Sequence, residues 1–320
     1  MLDITFNSEG AMVGNKFRPN NSLTIKLNPN FSLTKLPNLN NSFITKGQLI
    51  DSEKVIHDII EKLGVNIAFV LLVAPLSFAC LLVLFWVKFV HQQSIRSLTT
   101  AREKVDWKRV LFSFSLWAFF TIGSTLIAYY LQPEDFVINF QLHPFLIFLV
   151  LAVLLIPLQT SFEEYLFRGY LMQGIGVITK SRLIPFITTS VLFGLMHIAN
   201  PEVDKMGYII LVYYIGTGFF LGILTLMDEG LELALGFHAA NNLFTALLVT
   251  ADWTAFQTHS VFKDMSDPSS AGFFDVFMPV FVVFPIILFI LSKKYNWSNW
   301  NDKLFGKVVE PPKEDYKIME

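Results

Sequence analysis

Long apolar stretches, separated by short polar segments, run through the chain from about residue 65 onward. Seven of them reach or approach the roughly 20 apolar residues that a membrane-crossing helix needs: 66–90, 109–131, 142–161, 183–199, 206–227, 231–249 and 272–292. An eighth stretch, 163–178, would measure about 24 Å as a helix, short of a hydrocarbon core of about 30 Å. The pattern predicts an all-α fold, a polytopic membrane helix bundle of seven to eight apolar segments.

Polar residues dominate both ends of the chain. Segment 1–50, rich in Asn, Ser, Thr and Pro, is predicted to be a loosely ordered tail, although alternation at residues 23–27 indicates a short strand. An apolar stripe at helical spacing predicts an amphipathic helix over 51–64, of the kind that lies at a membrane interface. The membrane-embedded domain is expected over 65–292, and a second polar tail over 293–320.

Composition supports a lipid environment and narrows the function. Of the 320 residues, 53% are hydrophobic and only 16% are charged, whereas soluble domains have about 25% charged residues. The net charge of −2 gives no indication of nucleic-acid binding. Cys80 is the only cysteine, which excludes an internal disulfide and disfavours a thiolate metal or redox site. The first 50 residues show no secretory signal peptide.

Charges between the apolar segments predict how the chain lies in the bilayer. The basic loop 88–109 should be cytoplasmic, and the acidic loop around residues 134–135 should be outside. Residues 180–182 and 293–294 are also basic, and they reach the cytoplasmic side only if 163–178 enters and returns or lies shallow. A full crossing by that stretch would place both outside. We favour the shallow arrangement, which puts the start of 163–178 near the cytoplasmic surface.

Ionisable residues within the apolar stretches are the strongest functional signal, because charged groups at membrane depth are costly. Glu163 and Glu164 begin one stretch, and Arg168 follows within it. On a helix Glu164 and Arg168 share a face, so the guanidinium could keep that carboxylate ionised, while Glu163 points about 100° away. Glu163 could therefore face a reacting centre as a general base. An interfacial ion pair at a helix boundary is the alternative explanation.

Two further stretches carry one histidine each. His197 shares a helical face with Phe193, and its imidazole could bind a metal or share a water molecule with a carboxylate. His238 and Asn242 lie one turn apart, and together they could donate hydrogen bonds to a developing oxyanion. The alternative for these residues is a polar contact that only holds helices together. Asn241 points elsewhere, as expected for packing or capping.

Other polar residues carry weaker signals. Asp228, Glu229 and Glu232 lie together between two apolar stretches and are expected to form a solvated turn. The glycines within residues 216–222 are typical of closely packed membrane helices. Histidines outside or at the edges of the apolar stretches are expected to be interfacial or solvated: His57, His91, His143 and His259.

The three groups of polar residues resemble the signature of one family. Residues 163–168 (EEYLFR) resemble the EExxxR motif of the CAAX prenyl protease and bacteriocin-processing family. Residues 193–197 (FGLMH) resemble its FxxxH motif, and residues 238–242 (HAANN) resemble its HxxxN motif. The three motifs occur in order, on separate apolar stretches, within residues 140–250. On this resemblance the chain is identified as a member of a family of intramembrane endopeptidases.

Membership would imply a multi-helix protease with a water-accessible cavity among its helices. By that resemblance Glu163 and His197 would activate the attacking water, and His238 and Asn242 would stabilise the oxyanion. The second glutamate of the pair and the arginine of the first motif would support the site. A member with eight crossings would have an additional early span, which the first 60 residues do not supply. Either 163–178 crosses the membrane, or this protein has fewer spans.

The resemblance leaves the need for a metal open. Glu163, His197 and His238 could supply three ligands to Zn²⁺ with water as the fourth, as in catalytic zinc sites. The same residues could work without a metal, as general base and oxyanion donors. The motifs of zinc HExxH, rhomboid-like GxSG and aspartyl GxGD enzymes are absent from the sequence.

The sequence thus predicts an intramembrane endopeptidase that contacts lipid and acts on a membrane-presented peptide or protein. It predicts no nucleic-acid partner, and it does not indicate an oligomeric state. Two alternatives belong to other classes: a non-catalytic membrane binding or bacteriocin-immunity protein with the same fold, and a proton-coupled transporter. The inverted repeats of many transporters are not recognisable in this chain. For a bacterial chain, a multi-pass location in the plasma membrane is expected.

Overall fold

The computed structural model describes the backbone of residues 2–7, 10–13, 16–19, 22–27, 42–45, 48–268 and 273–309, and the side chains of residues 52–268 and 276–309. The chain divides into two units, residues 1–40 and 41–320. The first unit contains four strands: β1 (Leu2–Asn7), β2 (Gly10–Val13), β3 (Lys16–Pro19) and β4 (Ser22–Leu27). β1 pairs antiparallel with β4, and β2 pairs antiparallel with β3. The alternation noted at residues 23–27 falls on β4.

These strands lie in the region predicted to be a loosely ordered tail, so the all-α description applies to the helical bundle alone. Residues 28–41 of that tail and residues 310–320 of the C-terminal tail lie outside the described residues. The second unit opens with an antiparallel hairpin, β5 (Ser42–Thr45) and β6 (Gln48–Asp51). The predicted domain boundaries stay predictions.

Helices form the rest of the second unit. In chain order they are α1 (Ser52–Leu63), α2 (Val65–Phe85), α3 (Ile95–Thr99), α4 (Trp107–Leu131), α5 (Leu142–Glu164), α6 (Met172–Thr179), α7 (Leu183–Leu195), α8 (Pro201–Met206), α9 (Leu211–Asp228), α10 (Glu232–Leu248), α11 (Phe273–Met278), α12 (Phe284–Tyr295) and α13 (Trp300–Phe305). A π-helical turn, Trp86–Val90, extends α2, and another, Pro279–Val283, joins α11 to α12. Helix α1 coincides with the predicted amphipathic helix, and its place at a membrane interface stays a prediction.

Five helices are long and apolar enough to cross a membrane, within the described part of the chain. They are Val65–Val90, Trp107–Leu131, Leu142–Thr179, Tyr208–Asp228 and Val276–Tyr295. The predicted number of seven to eight apolar segments is therefore not confirmed. The predicted stretches 183–199 and 231–249 appear as the shorter helices α7 and α10, of 13 and 17 residues. His197 lies just beyond the end of α7, and His238 lies in the middle of α10, so polar motif residues limit the apolar length of both helices.

The largest difference from the sequence prediction is a single helix where two segments were expected. A π-helical turn, Tyr165–Leu171, joins α5 to α6, so residues 142–161 and 163–178 form one helix, Leu142–Thr179, of 38 residues. No glycine or proline stands between residues 158 and 168 to end the helix at the glutamate pair. At 1.5 Å per residue it measures about 57 Å, far more than a hydrocarbon core of about 30 Å. The prediction of a separate segment that enters and returns or lies shallow is wrong.

The continuous helix brings the basic segments to one end of the bundle, here called the basic end. The backbone of Ala101 donates to Glu229, and that of Val308 donates to Lys180, at 3.0 and 3.1 Å. Lys303 Nζ of α13 donates to the Met227 carbonyl of α9 at 3.1 Å, which connects the C-terminal segment to the same end of the bundle. The common end of the basic segments agrees with the charge pattern. Its cytoplasmic location stays a prediction.

A small three-stranded sheet lies at the opposite end, here called the sheet end. Its order is β7 (Phe136–Ile138), β9 (Phe262–Asp264) and β8 (Val249–Thr250), with β9 antiparallel to β7 and parallel to β8. These short strands follow α4 and α10 and precede α11. They tie together the loops at that end of the bundle.

The acidic turn after α9 is not solvated as predicted. Asp228 and Glu232 are 3% and 0% exposed, and with Arg102 and Arg109 they form what we call the end cluster. Arg102 pairs with Asp228 at 2.9 Å and with Glu232 at 3.2 Å, and Arg109 also pairs with Asp228. Glu229 alone behaves as expected, since its side chain is 58% exposed. The positive charges of Arg102 and Arg109, both from the basic loop, therefore offset the free-energy cost of burying these two carboxylates.

Glycines let the helices that carry the motifs approach one another closely. A Cβ atom at Gly218 on α9 would collide with the Ser190 carbonyl on α7, and one at Gly236 on α10 would collide with the Val110 carbonyl on α4. Helix α5 packs against both α2 and α10. Small residues at such contacts are typical of membrane helix pairs. As a result α5, α7, α9 and α10 surround a common interior.

Candidate functional site

The three sequence motifs meet where α5, α7 and α10 converge. Glu163 and Glu164 end α5, and Arg168 lies in the π-helical turn that follows. His238 lies in the middle of α10, facing them. These four side chains, which we call the central cluster, are 5%, 0%, 2% and 4% exposed, respectively. They lie inside the bundle, so the alternative of an ion pair at the surface end of a helix does not describe them.

Arg168 fixes Glu164 inside the protein. Its Nη1 donates to Glu164 Oε1 at 3.0 Å, and its Nη2 donates to the Gly218 carbonyl at 3.0 Å. The guanidinium also lies over the Phe193 ring, 4.3 Å from its centroid, in a cation–π contact. A buried carboxylate remains stable only when it is paired in this way. Because Gly218 has no side chain, α9 comes close enough to share in holding the arginine.

His238 connects the two glutamates. Its Nδ1 lies 2.8 Å from Glu164 Oε1, and its Nε2 lies 3.7 Å from Glu163 Oε2. An ionised carboxylate can only accept a hydrogen bond, so Nδ1 carries the proton. Glu164 thereby fixes the orientation of the imidazole, and Nε2 is directed toward Glu163.

A glutamine that the sequence reasoning missed orients the first glutamate. Gln159 Nε2 donates to Glu163 Oε1, and Gln159 Oε1 accepts a hydrogen bond from Asn242 Nδ2 at 3.3 Å. Gln159 is four residues before Glu163 on α5, so its helical spacing was a usable signal. Asn241 accepts from Trp117 Nε1 at 2.9 Å and donates to Asn242 at 3.1 Å. It also faces the cavity shared by Glu163 and Asn242, so the expectation that it points elsewhere is not confirmed.

His197 is held from two sides just beyond the end of α7. Its Nδ1 lies 2.9 Å from the Phe193 carbonyl, which can only accept, so Nδ1 carries the proton and Nε2 is left as an acceptor. Its ring stacks on Tyr214 of α9, with centroids 4.4 Å apart and planes at 17°. Tyr214 was not predicted, because a stacking partner on another helix leaves no spacing signal in the sequence.

A cavity of about 560 Å³ joins these groups. Gln159, Glu163, His197 and Asn242 line its inner part, whereas the rest of the central cluster lies behind them. The cavity continues to residues 249–256, which follow α10 at the sheet end. The prediction that the glutamate pair lies near the basic, cytoplasmic surface is therefore wrong. The error follows from treating 163–178 as a separate segment.

The predicted zinc ligands do not gather as a metal site requires. Within the part of the chain whose side chains are described, the one set of three His, Cys, Asp or Glu residues with ligand atoms within 4.8 Å of one another is His57, Asp58 and Glu61, on the exposed face of α1. The nitrogen and oxygen ligands of Zn²⁺ lie about 2 Å from the ion and therefore close to one another. The arrangement of Glu163, His197 and His238 does not fit a three-ligand zinc site.

Burial changes the acidity of a further carboxylate in the cavity wall. Glu202 lies on α8, outside the apolar helices, and its Oε1 accepts a hydrogen bond from the Ala255 backbone at 3.0 Å. Burial raises the pKa of the Glu202 carboxyl above its ordinary value, because loss of water disfavours the charged form. The backbone hydrogen bond offsets part of that effect. Glu202 was also missed by the sequence reasoning, since it lies in a polar loop.

Comparison with known proteins agrees with the motifs. Residues 141–244 match the model of a family described as type II CAAX prenyl endopeptidase Rce1-like, and all three motifs lie within that match. The protein YyaK of Bacillus subtilis (strain 168), itself described as uncharacterized, is 33% identical over 165 residues, which make up 51% of this chain and 55% of YyaK. The chain thus matches about half the length of this curated relative. No solved structure matches the chain.

The helices and the family match together settle the broad class. The chain is an integral membrane protein built largely of helices. The resemblance carried by the three motifs is confirmed by the family match over the same region. Over residues 141–244, the chain is similar to the Rce1-like family of type II CAAX prenyl endopeptidases.

Proposed function

We propose that the protein is an intramembrane endopeptidase that hydrolyses a peptide bond of a protein or peptide presented at the membrane. One observation carries the proposal: Glu163, His197 and Asn242, from three separate motifs, line the same cavity. The family match over residues 141–244 supports protease chemistry in particular. A multi-pass location in the plasma membrane is part of the proposal.

Glu163 is the residue best arranged to activate water. Gln159 fixes its Oε1, while its Oε2 accepts no hydrogen bond from the described residues and lies 3.7 Å from His238 Nε2. A water molecule held by Glu163 and His197 gives a proton to the Glu163 carboxylate while its oxygen attacks the substrate carbonyl carbon. When the C–N bond breaks, Glu163 returns that proton to the leaving amine. Glu163 therefore acts first as general base and then as general acid.

His238 and Asn242 are suited to stabilise the oxyanion. His238 keeps its Nδ1–H on Glu164. In the proposed reaction the ring is already protonated before the substrate binds and keeps both protons throughout, so that Nε2–H can donate to the oxyanion. Asn242 Nδ2 donates to Gln159 at 3.3 Å, a long and weak bond that the amide can exchange for the stronger charged acceptor. The oxyanion thus receives donors from one face of α10.

Glu164 and Arg168 are positioning residues, because they bond to each other, to the Gly218 carbonyl and to His238 in the interior of the bundle. Glu164 orients the His238 imidazole through Nδ1, and Arg168 holds Glu164 in place through Nη1. Hydrogen bonds thus connect Arg168 to Glu164 and Glu164 to His238, from the core toward the reacting centre. This network supports the roles that the sequence resemblance implies, in which Glu164 and Arg168 support the site.

The decisive test replaces the proposed base. Full-length protein purified in detergent should cleave a quenched fluorescent peptide library, and Glu163→Gln should lower kcat by about 10²–10⁴-fold, the usual contribution of general acid–base catalysis. The thermal midpoint should stay unchanged, because a glutamine amide still fits between Gln159 and His238. Glu134→Gln, which alters an exposed carboxylate in the loop after α4, is the matched control and should retain full activity. Undiminished cleavage by Glu163→Gln would remove the assigned base.

Metal removal provides an independent test of the mechanism. Because Glu163, His197 and His238 do not form a three-ligand cluster, prolonged dialysis against EDTA should leave cleavage of the same peptides unchanged. A zinc protease of the HExxH class, treated in the same detergent, should lose its activity and serves as the control. Loss of cleavage that added Zn²⁺ restores would contradict the metal-free mechanism.

A further inference from the structure

Two buried polar atoms in the outer part of the cavity have no hydrogen-bond partner among the described residues. They are Glu202 Oε2 and Trp253 Nε1, and both residues line the cavity that reaches Glu163. A buried polar atom without a partner destabilises the folded protein, so such atoms are uncommon in folded proteins. Two of them in one cavity, one an acceptor and one a donor, indicate a ligand that supplies the complementary groups.

The structure holds both side chains in place. Ala255 donates to Glu202 Oε1 at 3.0 Å, which joins α8 to the loop after β8, and Trp253 belongs to that same loop. Tyr214 of α9 lines the same cavity as Glu202, and its ring stacks on His197 with the centroids 4.4 Å apart. The pair therefore adjoins the proposed catalytic groups through one aromatic ring. A ligand held by the pair would extend toward Glu163.

Charge identifies the kind of group that fits. Glu163, Glu202 and Asp264 line the cavity, while no described lysine or arginine does. The aromatic rings of Tyr214 and Trp253 are part of the same wall, and such rings attract cations. An acidic, aromatic wall without a basic residue favours a cationic ligand over a neutral or anionic one.

We propose that Glu202 and Trp253 form a substrate subsite for a lysine or arginine side chain of the peptide. Glu202 Oε2 accepts a hydrogen bond from the cationic group, and Trp253 Nε1 donates to a carbonyl of the peptide backbone. The inference rests on the proposed function in that the ligand is a peptide substrate. It adds a specificity for basic residues that the three sequence motifs do not encode.

The test measures binding without turnover. Fluorescein-labelled Ala/Ser peptides carry one lysine, moved through each position in turn, and a matched set carries the uncharged norleucine instead. Full-length Glu163→Gln protein in detergent should bind the best lysine peptide about tenfold more tightly than its norleucine partner, as expected for one charge-assisted hydrogen bond. Adding Glu202→Gln should reduce that ratio to about one, because glutamine keeps the size and the bond from Ala255 but not the charge.

The control removes a nearby charge that does not line the cavity. Asp252 is on the same loop as Trp253, its side chain is 74% exposed, and it pairs with Lys263. Asp252→Asn should preserve the lysine preference, whereas Trp253→Phe should weaken binding of lysine and norleucine peptides alike. Should Glu202→Gln fail to fold, the peptide is changed instead, and acetyl-lysine must then bind as weakly as norleucine.

The outcomes separate this subsite from the protease proposal. The subsite is overturned by a ratio near one in the starting protein, by an unchanged ratio in Glu202→Gln, or by an equal loss in Asp252→Asn. A lysine preference that depends on Glu202, in a wild-type protein that cleaves none of these peptides, would leave the subsite standing and remove the protease. Peptide cleavage whose lysine preference does not depend on Glu202 would leave the protease proposal standing and remove the subsite.

Discussion

Within the described residues, two clusters pair buried carboxylates with arginine, and comparing them distinguishes a structural ion pair from a reactive carboxylate. In the end cluster, every carboxylate oxygen accepts a hydrogen bond. Asp228 receives Arg109 and Trp297 on Oδ1 and Arg102 on Oδ2, and Glu232 receives the Asp106 backbone on Oε1. The remaining Glu232 oxygen, Oε2, accepts from Arg102 at 3.2 Å.

The central cluster is not saturated in this way. Glu163 Oε2 lies 3.7 Å from His238 Nε2, beyond hydrogen-bond distance, and Glu164 Oε2 has no hydrogen-bond partner among the described residues. Glu163 also lines a cavity, whereas Asp228 and Glu232 line none of those described. A saturated cluster can only hold helices together, but a carboxylate with a free oxygen facing a cavity can accept a proton. Buried charge alone would not have distinguished the two.

The comparison predicts its largest effect at Asp228. Asp228→Ala leaves two arginines without their shared carboxylate, so the protein should lose about 3 kcal/mol of stability, the lower range for breaking a buried ion pair. We expect the thermal midpoint in detergent to fall by several degrees. The activity of each molecule that remains folded should not change.

An exposed carboxylate next to the end cluster provides the control. Glu229 pairs with Lys303 at 3.4 Å and is 58% exposed, so Glu229→Gln should hardly alter the midpoint. Activity per folded molecule is obtained by dividing the peptide cleavage rate by the folded fraction from size-exclusion chromatography. An Asp228→Ala protein with a normal midpoint and no cleavage would contradict the distinction between the two clusters.

A smaller effect is expected at Gln159, which acts on the central cluster from outside the three motifs. Gln159→Met removes the donor to Glu163 and the acceptor of Asn242, so kcat should fall about tenfold while KM stays unchanged. Gln173→Met is the matched control, because Gln173 lies on the same long helix but is exposed and bonds to Gln93 at 3.1 Å. If both variants lose activity equally, Gln159 has no particular role in orienting the base.

Spacing along one helix carried most of what the sequence could predict about the site. Glu164 and Arg168 were expected to pair, and they do so at 3.0 Å. His238 and Asn242 were expected to face together, and both lie toward α5. These features depend on neighbours one turn apart, which the helical period fixes in advance. The catalytic roles of these residues stay predictions.

Contacts between distant segments could not be read in the same way. The burial of Asp228 depends on Arg102, which is 126 residues earlier, so the acidic turn was mistaken for a solvated one. The long helix was divided at the glutamate pair because charged residues usually mark the end of a span. In the structure Arg168 and His238 both bond to Glu164, so the buried carboxylate is paired and the helix continues through it. Tertiary pairing overrode the local charge signal in both places.

The smallest expected effect concerns Glu202, a carboxylate with one oxygen bonded, as in the end cluster, and the other free, as in the central cluster. Because burial raises its pKa above the ordinary 4.5, the folded protein holds the Glu202 proton to higher pH than the unfolded chain does. The resulting stability is fully present below the ordinary pKa and is lost as pH rises through the raised one.

Glu202→Gln resembles the protonated form at every pH. The thermal midpoints of variant and wild type should therefore agree below pH 4.5, and the wild type should fall progressively below the variant as pH increases above that value. A constant difference across this range would mean that Glu202 keeps its ordinary acidity, and that its free oxygen is as well stabilised as the carboxylates at the basic end.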